Sequence, residues 1–280
     1  MQGKVCVITG ATSGLGLEAA ERLAKLGARL VLVGRDRARG DAALARLRGA
    51  APGLQVSIYY ADLSLMSEQK RVATEIRSAE QRIDVLINNA GALFTSRHET
   101  DEGLELTFAL NHMAYFIVTN ILLDRLQAAG AARIVSTASG AHVGNKLDFD
   151  DLQSTEHYSG YRVYGRSKLA NILFTRELAR RLAGTKVSAN CLHPGFVATR
   201  FGSGNGLLPR IGLRIAMLGA IKVEQGAETI VYLASSPEVE GFSGGYYRQR
   251  RLAQTSPAGQ DFDAARRLWV ESARISGMAV

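Results

Sequence analysis

Little in this chain points to the cell exterior, a metal or a membrane. Only two cysteines occur in 280 residues, Cys6 and Cys191, each inside an apolar strand-like run. A disulfide framework and a thiolate metal site both want more ligands at closer spacing, so buried reduced thiols and no metal are expected. No run approaches the ~18 apolar residues of a membrane span. The first strand pattern begins at Lys4, which leaves no room for a signal peptide or an anchor, so a cytoplasmic protein is expected. Prolines number five, and no linker, low-complexity tract or solenoid-spaced repeat interrupts the chain. Residues 1–280 therefore read as one domain.

What is present is a globular composition, 46% apolar and 21% charged, with a formal charge of +8. That charge suits anionic ligands. It does not require nucleic acid, because the arginines are scattered and only Arg248, Arg250 and Arg251 cluster, too few for a nucleic-acid footprint. Short apolar runs at residues 4–9, 30–33, 56–60, 85–88, 134–137 and 187–192 alternate with helical patterns. Continuous apolar strands separated by helices imply a parallel sheet covered on both faces, hence an α/β doubly wound fold of about seven strands. Later pieces read as a helix at about 222–235, a short strand near Gly244 to Tyr247, and a C-terminal helix at about 262–275.

Two local patterns carry chemistry. The first strand runs into Gly10, Gly14 and Gly16 and then a helix, an arrangement in which backbone approaches a pyrophosphate at a helix N-terminus. The second is Tyr164 and Lys168, four apart, which on a helix share one face. A cation beside a phenol stabilises the phenolate and lowers a pKa otherwise near ~10, making a proton-transfer pair. Past the second strand stand Arg35 and Asp36. A cation there accommodates a ribose 2′-phosphate and an acid accepts from the ribose hydroxyls. Arg35 comes first, so NADP(H) is expected ahead of NAD(H), with Ser13 as a second phosphate contact; Asp36 either caps the next helix or reaches the ribose.

The spacing Thr9-Gly-x-x-x-Gly-x-Gly, with Tyr164-x-x-x-Lys168, resembles the short-chain dehydrogenase/reductase family from Lys4 to about Ala279. The resemblance implies a single-domain Rossmann fold whose turn, Gly10, Thr12, Ser13, Gly14, Leu15 and Gly16, holds the cofactor. It assigns Asp62 and Leu63 to the adenine, Asn89, Ala90 and Gly91 to the cofactor's flank, and Pro194, Gly195, Val197 and Thr199 to the nicotinamide side. His193 is expected to be a structural donor rather than a base. Ser139, at the fifth strand's exit, matches the family's catalytic serine; Ser136, inside the strand, is the competing candidate. Asn111 matches the asparagine that holds a water near the lysine. By this pattern Tyr164 is the general acid/base, and Lys168 lowers its pKa and bonds the nicotinamide ribose.

The branch is suggested by 24 residues between Ser139 and Tyr164, by Ser167-Lys-Leu-Ala-Asn-Ile-Leu-Phe174, and by the C-terminal Gly245-Tyr-Tyr, Ser256-Pro and Arg267-Leu-Trp. These resemble the retinol dehydrogenase-like members, whose animal forms carry an anchor. A small lipophilic aldehyde or ketone and its alcohol are the expected substrates. Residues 200–220, rich in Leu and Ile between glycines, read as a substrate lid. The family suggests a homodimer or homotetramer through the helices of Asn111 and Tyr164, unless longer loops block that surface. Two other readings compete: an NAD-dependent secondary alcohol dehydrogenase, and a catalytically silent NADPH-sensing regulator.

Overall fold

The computed structural model describes residues 1–196 and 221–279. Seven strands run parallel: β1 (Val5–Thr9), β2 (Arg29–Gly34), β3 (Val56–Tyr60), β4 (Val85–Asn88), β5 (Arg133–Thr137), β6 (Ser188–His193) and β7 (Tyr246–Arg248). An eighth, β8 (Arg251–Ala253), returns antiparallel along β7. The order across the sheet is β3-β2-β1-β4-β5-β6-β7-β8. The chain walks outward from β1 to β3 and then restarts on the other side with β4. Such a reversal opens a crevice at the carboxyl ends of β1 and β4, where ligands of doubly wound sheets bind.

Seven long helices among the described residues are α1 (Gly14–Lys25), α2 (Arg37–Ala50), α3 (Met66–Ala79), α4 (Leu106–Ala128), α5 (Gly160–Arg181), α6 (Val223–Ser235) and α7 (Phe262–Ser276). Alternation along the strands decides which helix covers which face. Cys6, Ile8, Leu30 and Leu32 meet α1, α2 and α6 through Leu23, Leu47 and Ile230. Val5, Val7, Val31 and Val33 share the other core with α3, α4 and α5 through Ile76, Phe116 and Leu178. Leu23, Leu30 and Leu32 are fully buried, each worth about 1.5–3 kcal/mol.

α7 lies over α4 and α5. Its Trp269 stacks on Phe174 of α5 at 5.8 Å and meets Phe116 of α4 edge-on at 5.0 Å. The C-terminal helix thus contacts both helices of this pair through Trp269. α4 is long and apolar enough to cross a bilayer by length and composition, but most of it is buried between the sheet and these neighbours. Both cysteines are free and buried, and burial pushes each thiol up to about 12.

Two features differ from the sequence reading. The last parallel strand lies slightly later than expected and turns back into β8, through Gln249 and Arg250 with φ of 51° and 63°. α4 contains a π-helical turn over Ala109–Met113. The expected lid at about 200–220 lies outside the described residues.

Candidate active site

The glycine turn fills the crevice at the end of β1. Gly10 has φ +66°, and a Cβ there would meet Ala90 Cα at 2.8 Å; a Cβ on Gly16 would run into the Gly10 carbonyl and come within 2.6 Å of Asn89 Nδ2. Only glycine lets β1, β4 and α1 approach this closely. Ser13 is the N-cap of α1 but makes no side-chain cap bond, and no acid stands in the first turn. The first-turn N–H groups, those of Gly14, Leu15 and Gly16, therefore meet no capping side chain at the positive end of the helix. That donor set fits a pyrophosphate. Thr12 packs its methyl against Gly34 at the end of β2.

Thr9 fixes the neighbouring strand exit. Its hydroxyl accepts from the N–H of Asn89 at 3.0 Å and of Ala90 at 3.1 Å, while Asn89 Nδ2 donates to the Thr9 carbonyl at 3.1 Å. A Cβ on Gly91 would stand 3.1 Å from Asn111 Oδ1 and 3.4 Å from Lys168 Nζ. The β4 exit is thereby pressed between the glycine turn and the buried lysine.

At the end of β2 the two candidate cofactor-reading residues separate. Asp36 caps α2, accepting from Arg39 N at 2.8 Å. Of the two roles open to it, helix capping is the one the geometry gives. Arg35 is two-thirds exposed and forms an ion pair at 3.5 Å with Asp62. Asp62 also accepts from the N–H and hydroxyl of Ser64, which folds the chain after β3; the Leu63 carbonyl accepts from buried Gln69.

The reacting groups converge at the ends of β5 and α5. Tyr164 and Lys168 stand one turn apart on α5, with Nζ 5.6 Å from the phenol ring centre. Ser139, just past β5, hydrogen-bonds the Tyr164 phenol and accepts from Ala141 N at 3.2 Å. Ser136 faces the interior with its hydroxyl unpartnered, so of the two serines only Ser139 reaches the phenol. Lys168 is buried and donates to the Thr137 carbonyl at 2.9 Å, an oxygen that also accepts from Asn171 Nδ2 and the Tyr115 hydroxyl.

Burial governs the proton affinities. It pulls the Lys168 ammonium down to about 7 and raises the Tyr164 phenol above its ordinary range, a rise that the Ser139 bond partly offsets. The expected lowering of the phenol pKa by Lys168 does not show in the chain itself, where loss of water dominates and Ser139 supplies the lowering.

Asn111 sits in the π-turn of α4, a backbone defect common at functional sites. Its Oδ1 accepts from Ala92 N at 2.9 Å, and its Nδ2 donates to the Ala92 carbonyl and to Ser167 Oγ, both at 2.9 Å. Both amide hydrogens are engaged, leaving acceptor capacity on Oδ1 for a water. The side chain is first a clamp between the β4 exit and α5.

Sequence reasoning gave no role to His142. It is buried, with Nδ1 2.7 Å from the Ser139 carbonyl and Nε2 accepting from Ser256 N at 3.1 Å. An N–H donor on one side and a carbonyl on the other fix one neutral tautomer, protonated at Nδ1. His142 thus ties the Ser139 loop to the C-terminal segment, 114 residues away. Its place in Ser139-Gly-Ala-His142 was the only available signal, and it said nothing of the partner.

At the exit of β6, Gly195 adopts φ +93° and its N–H donates to His193 Nδ1 at 3.4 Å. His193 therefore accepts at Nδ1, which leaves the proton of its neutral ring on Nε2, and burial pulls it down to about 4. Pro194 and Gly195 lie beside this ring; Val197 and Thr199 fall outside the described residues. Among the described residues, no cluster of three His, Cys, Asp or Glu side chains gathers as metal ligands.

Residues 4–205 match the family model of the short chain dehydrogenases. Human retinol dehydrogenase 14 is 40% identical over 99% of this chain and 88% of its own length. Human retinol dehydrogenase 13 is 38% identical over 99% and 85%. Among solved structures, an uncharacterized protein from Mycobacterium paratuberculosis superposes with a TM-score of 0.80 at 31% identity, covering 99% of this chain and 94% of that one. A structure titled as an NAD(P)-dependent gluconate 5-dehydrogenase from Beutenbergia cavernae, with bound NADP, gives 0.71 at 25% identity, covering 89% and 96%. The chain belongs to the short-chain dehydrogenase/reductase family of NAD(P)(H) oxidoreductases, with the retinol dehydrogenases among its relatives.

Proposed function

We propose that the chain is an NADP(H)-dependent oxidoreductase that interconverts a lipophilic aldehyde or ketone and its alcohol, with residues 1–280 acting as one dinucleotide-binding and catalytic domain. The observation that carries this reading is the bond between Ser139 and the Tyr164 phenol, one helical turn from buried Lys168. An isolated tyrosine is a poor acid at neutral pH; one held by a serine hydroxyl beside a titratable lysine can exchange its proton.

NADP over NAD is supported by the end of β2. Asp36 is engaged as a helix cap, which leaves exposed Arg35 as the group able to meet a 2′-phosphate. Its ion pair with Asp62 is loose and solvent-facing, worth about 0–1 kcal/mol, and gives way readily to a phosphate dianion. The first turn of α1 would hold the pyrophosphate, and Thr9 with Asn89, Ala90 and Gly91 would keep the strand exit open beside the nicotinamide half.

When bound, the nicotinamide supplies or takes the hydride. Tyr164 gives its proton to the oxygen that becomes the alcohol, or removes it in the reverse direction. Ser139 orients that oxygen and stabilises its developing charge. Lys168, with a pKa brought near neutrality, restores the phenol's proton and would hold the ribose; Asn111 keeps Ala92 and Ser167 fixed around it. The lipophilic substrate class is supported by the names of the relatives and by the apolar composition of residues 200–220.

Initial rates of NADPH and NADH oxidation against lipophilic aldehydes, cyclic and aromatic ketones and all-trans-retinal test the reading. Tyr164→Phe should lower kcat by about 10²–10⁴-fold with NADPH affinity within about twofold. Arg35→Asp should move the ratio of kcat/KM for NADPH to that for NADH by at least about tenfold toward NADH. Turnover that survives Tyr164→Phe, or a preference indifferent to Arg35→Asp, overturns the corresponding half of the proposal.

A further inference from the structure

The π-turn of α4 carries a second polar side chain, one that the reaction itself does not use. His112 follows Asn111 in that turn and is fully buried, its ring 5.2 Å from Phe108 and edge-on to Phe174 at 6.3 Å. Burial pulls its pKa down to about 3, so the ring is neutral near physiological pH. A neutral imidazole has one N–H and one bare nitrogen, and its partners fix which is which.

Those partners lead to Lys168. Nε2 stands 2.8 Å from Ser272 Oγ on α7. On the ring's other side two buried atoms have no further bond, His112 Nδ1 and Asn171 Oδ1. The Asn171 side chain hydrogen-bonds the ring and raises its proton affinity, which is the effect of a group that accepts from it. Asn171 lies three residues past Lys168 on α5, and its Nδ2 meets the Thr137 carbonyl at 3.3 Å, the oxygen that holds Lys168 Nζ at 2.9 Å.

The protons can be placed in one consistent way. The Thr137 carbonyl only accepts, so Asn171 presents its amide N–H there and its Oδ1 to His112. Nδ1 must then carry the ring's proton. Nε2 is left bare and takes the Ser272 hydroxyl, which gives up the Leu268 carbonyl 2.7 Å away. That carbonyl lies inside α7, where the N–H of residue 272 serves it. A line of bonds from α7 through α4 and α5 thus ends on the acceptor of Lys168.

Sharing weakens that acceptor. A carbonyl oxygen has two lone pairs, and that of Thr137 meets Lys168, Asn171 and, at 3.4 Å, the Tyr115 hydroxyl. The titratable groups facing Lys168 are the Tyr164 phenol on its own helix and Tyr115 on α4, with Nζ 5.6 Å from each ring centre. Gly91 faces it from the β4 exit without a charge, and no carboxylate acts on it.

We propose that His112 and Asn171 are positioning residues for Lys168: His112 turns the Asn171 amide so that its N–H faces the Thr137 carbonyl, and this shared carbonyl fixes Nζ while compensating less of the ammonium's charge. The use of Lys168 in proton transfer rests on the oxidoreductase reading. The arrangement around it does not.

Imidazole ¹⁵N–¹H spectra of the full chain test the arrangement, with His112 assigned by the signal lost in His112→Phe. Wild type should show Nδ1 protonated and Nε2 bare, unchanged between about pH 5 and 9. Asn171→Leu should move the proton to Nε2, which then donates to Ser272 Oγ. The same variant should raise by about half a unit or more the pH at which urea midpoints begin to climb as folded Lys168 releases its proton. A merely structural loss would lower the whole curve without moving it along the pH axis. In carbonyl reduction the alkaline fall of kcat should move up by a similar amount in Asn171→Leu and in His112→Phe, and no further in the double variant. Nε2 protonated in wild type, a tautomer or stability profile indifferent to Asn171→Leu, or additive shifts in the double variant would each overturn the proposal. Absence of turnover with every carbonyl would count against the oxidoreductase reading alone, because the spectra and the midpoints need no substrate and still decide the role of His112 and Asn171.

Discussion

The two halves of the candidate site are built on different principles. At the end of β1 the work is done by backbone: a glycine turn, helix N–H groups and a threonine that pins the neighbouring strand. At the ends of β5 and α5 it is done by side chains whose proton affinities are shifted by burial. The first half tolerates no added atom and has little to titrate. The second has little room for a change of charge. Geometry limits one, and protonation the other.

The largest effect that would break this contrast comes from Gly16. Valine there drives its side chain into the Gly10 carbonyl and Asn89 Nδ2, and the carbonyl, being backbone, cannot yield without moving the turn. Overpacking against backbone costs about 1–3 kcal/mol, and displacing the turn should weaken NADPH by about 100-fold while the pH dependence of any residual turnover keeps its wild-type shape. Urea midpoints and cofactor titrations measure both quantities. A changed pH profile would show that the halves are not separable.

His142 sharpens the comparison from the other side, since it positions Ser139 without joining the chemistry. His142→Phe leaves the Ser256 N–H without its ring acceptor and takes the ring bond from the Ser139 carbonyl, which keeps only the 3.2 Å bond from the residue-142 N–H, and kcat should fall about tenfold with NADPH affinity within about twofold. Asn in the same place can still donate to the Ser139 carbonyl and should recover part of the rate. Equal loss in both variants, or a parallel loss of cofactor affinity, would reduce His142 to a packing residue. Steady-state kinetics with NADPH and substrate varied in turn separates these cases.

How much of this was readable in advance follows the same division. The Gly10-Gly14-Gly16 spacing, the Tyr164–Lys168 offset and Arg35 at a strand end are local patterns, visible because neighbours in sequence are neighbours in the fold. The alternation of strands and helices was legible for the same reason. β8 was missed because Gln249 and Arg250 occupy left-handed backbone positions where a hairpin turn usually announces itself with Asn or Gly. The clamp formed by Asn111 depends on a π-turn that no residue type in Ala109–Met113 signals. The partner of His142 comes from 114 residues away. The direction of the Tyr164 shift could not be read either, because it depends on how much water the fold removes from both members of the pair.

Lys168 gives the most direct test of the idea that protonation limits the second half. Burial takes its pKa from an ordinary 10.5 to about 7. Between those values the unfolded chain keeps the proton and the folded chain releases it, so unfolding free energy rises with pH across that window, by the linkage of proton binding to stability. Below about 7 both states hold the proton and the cost of burying the charge is paid in full. Lys168→Met removes the group and the slope with it. Urea midpoints for both proteins at several pH values between about 6 and 10 should show wild type gaining on Lys168→Met as pH rises, with every other titrating group common to both. Parallel curves would mean that the ammonium is solvated in the folded chain, and that the fold does not hold Lys168 near neutrality to serve Tyr164.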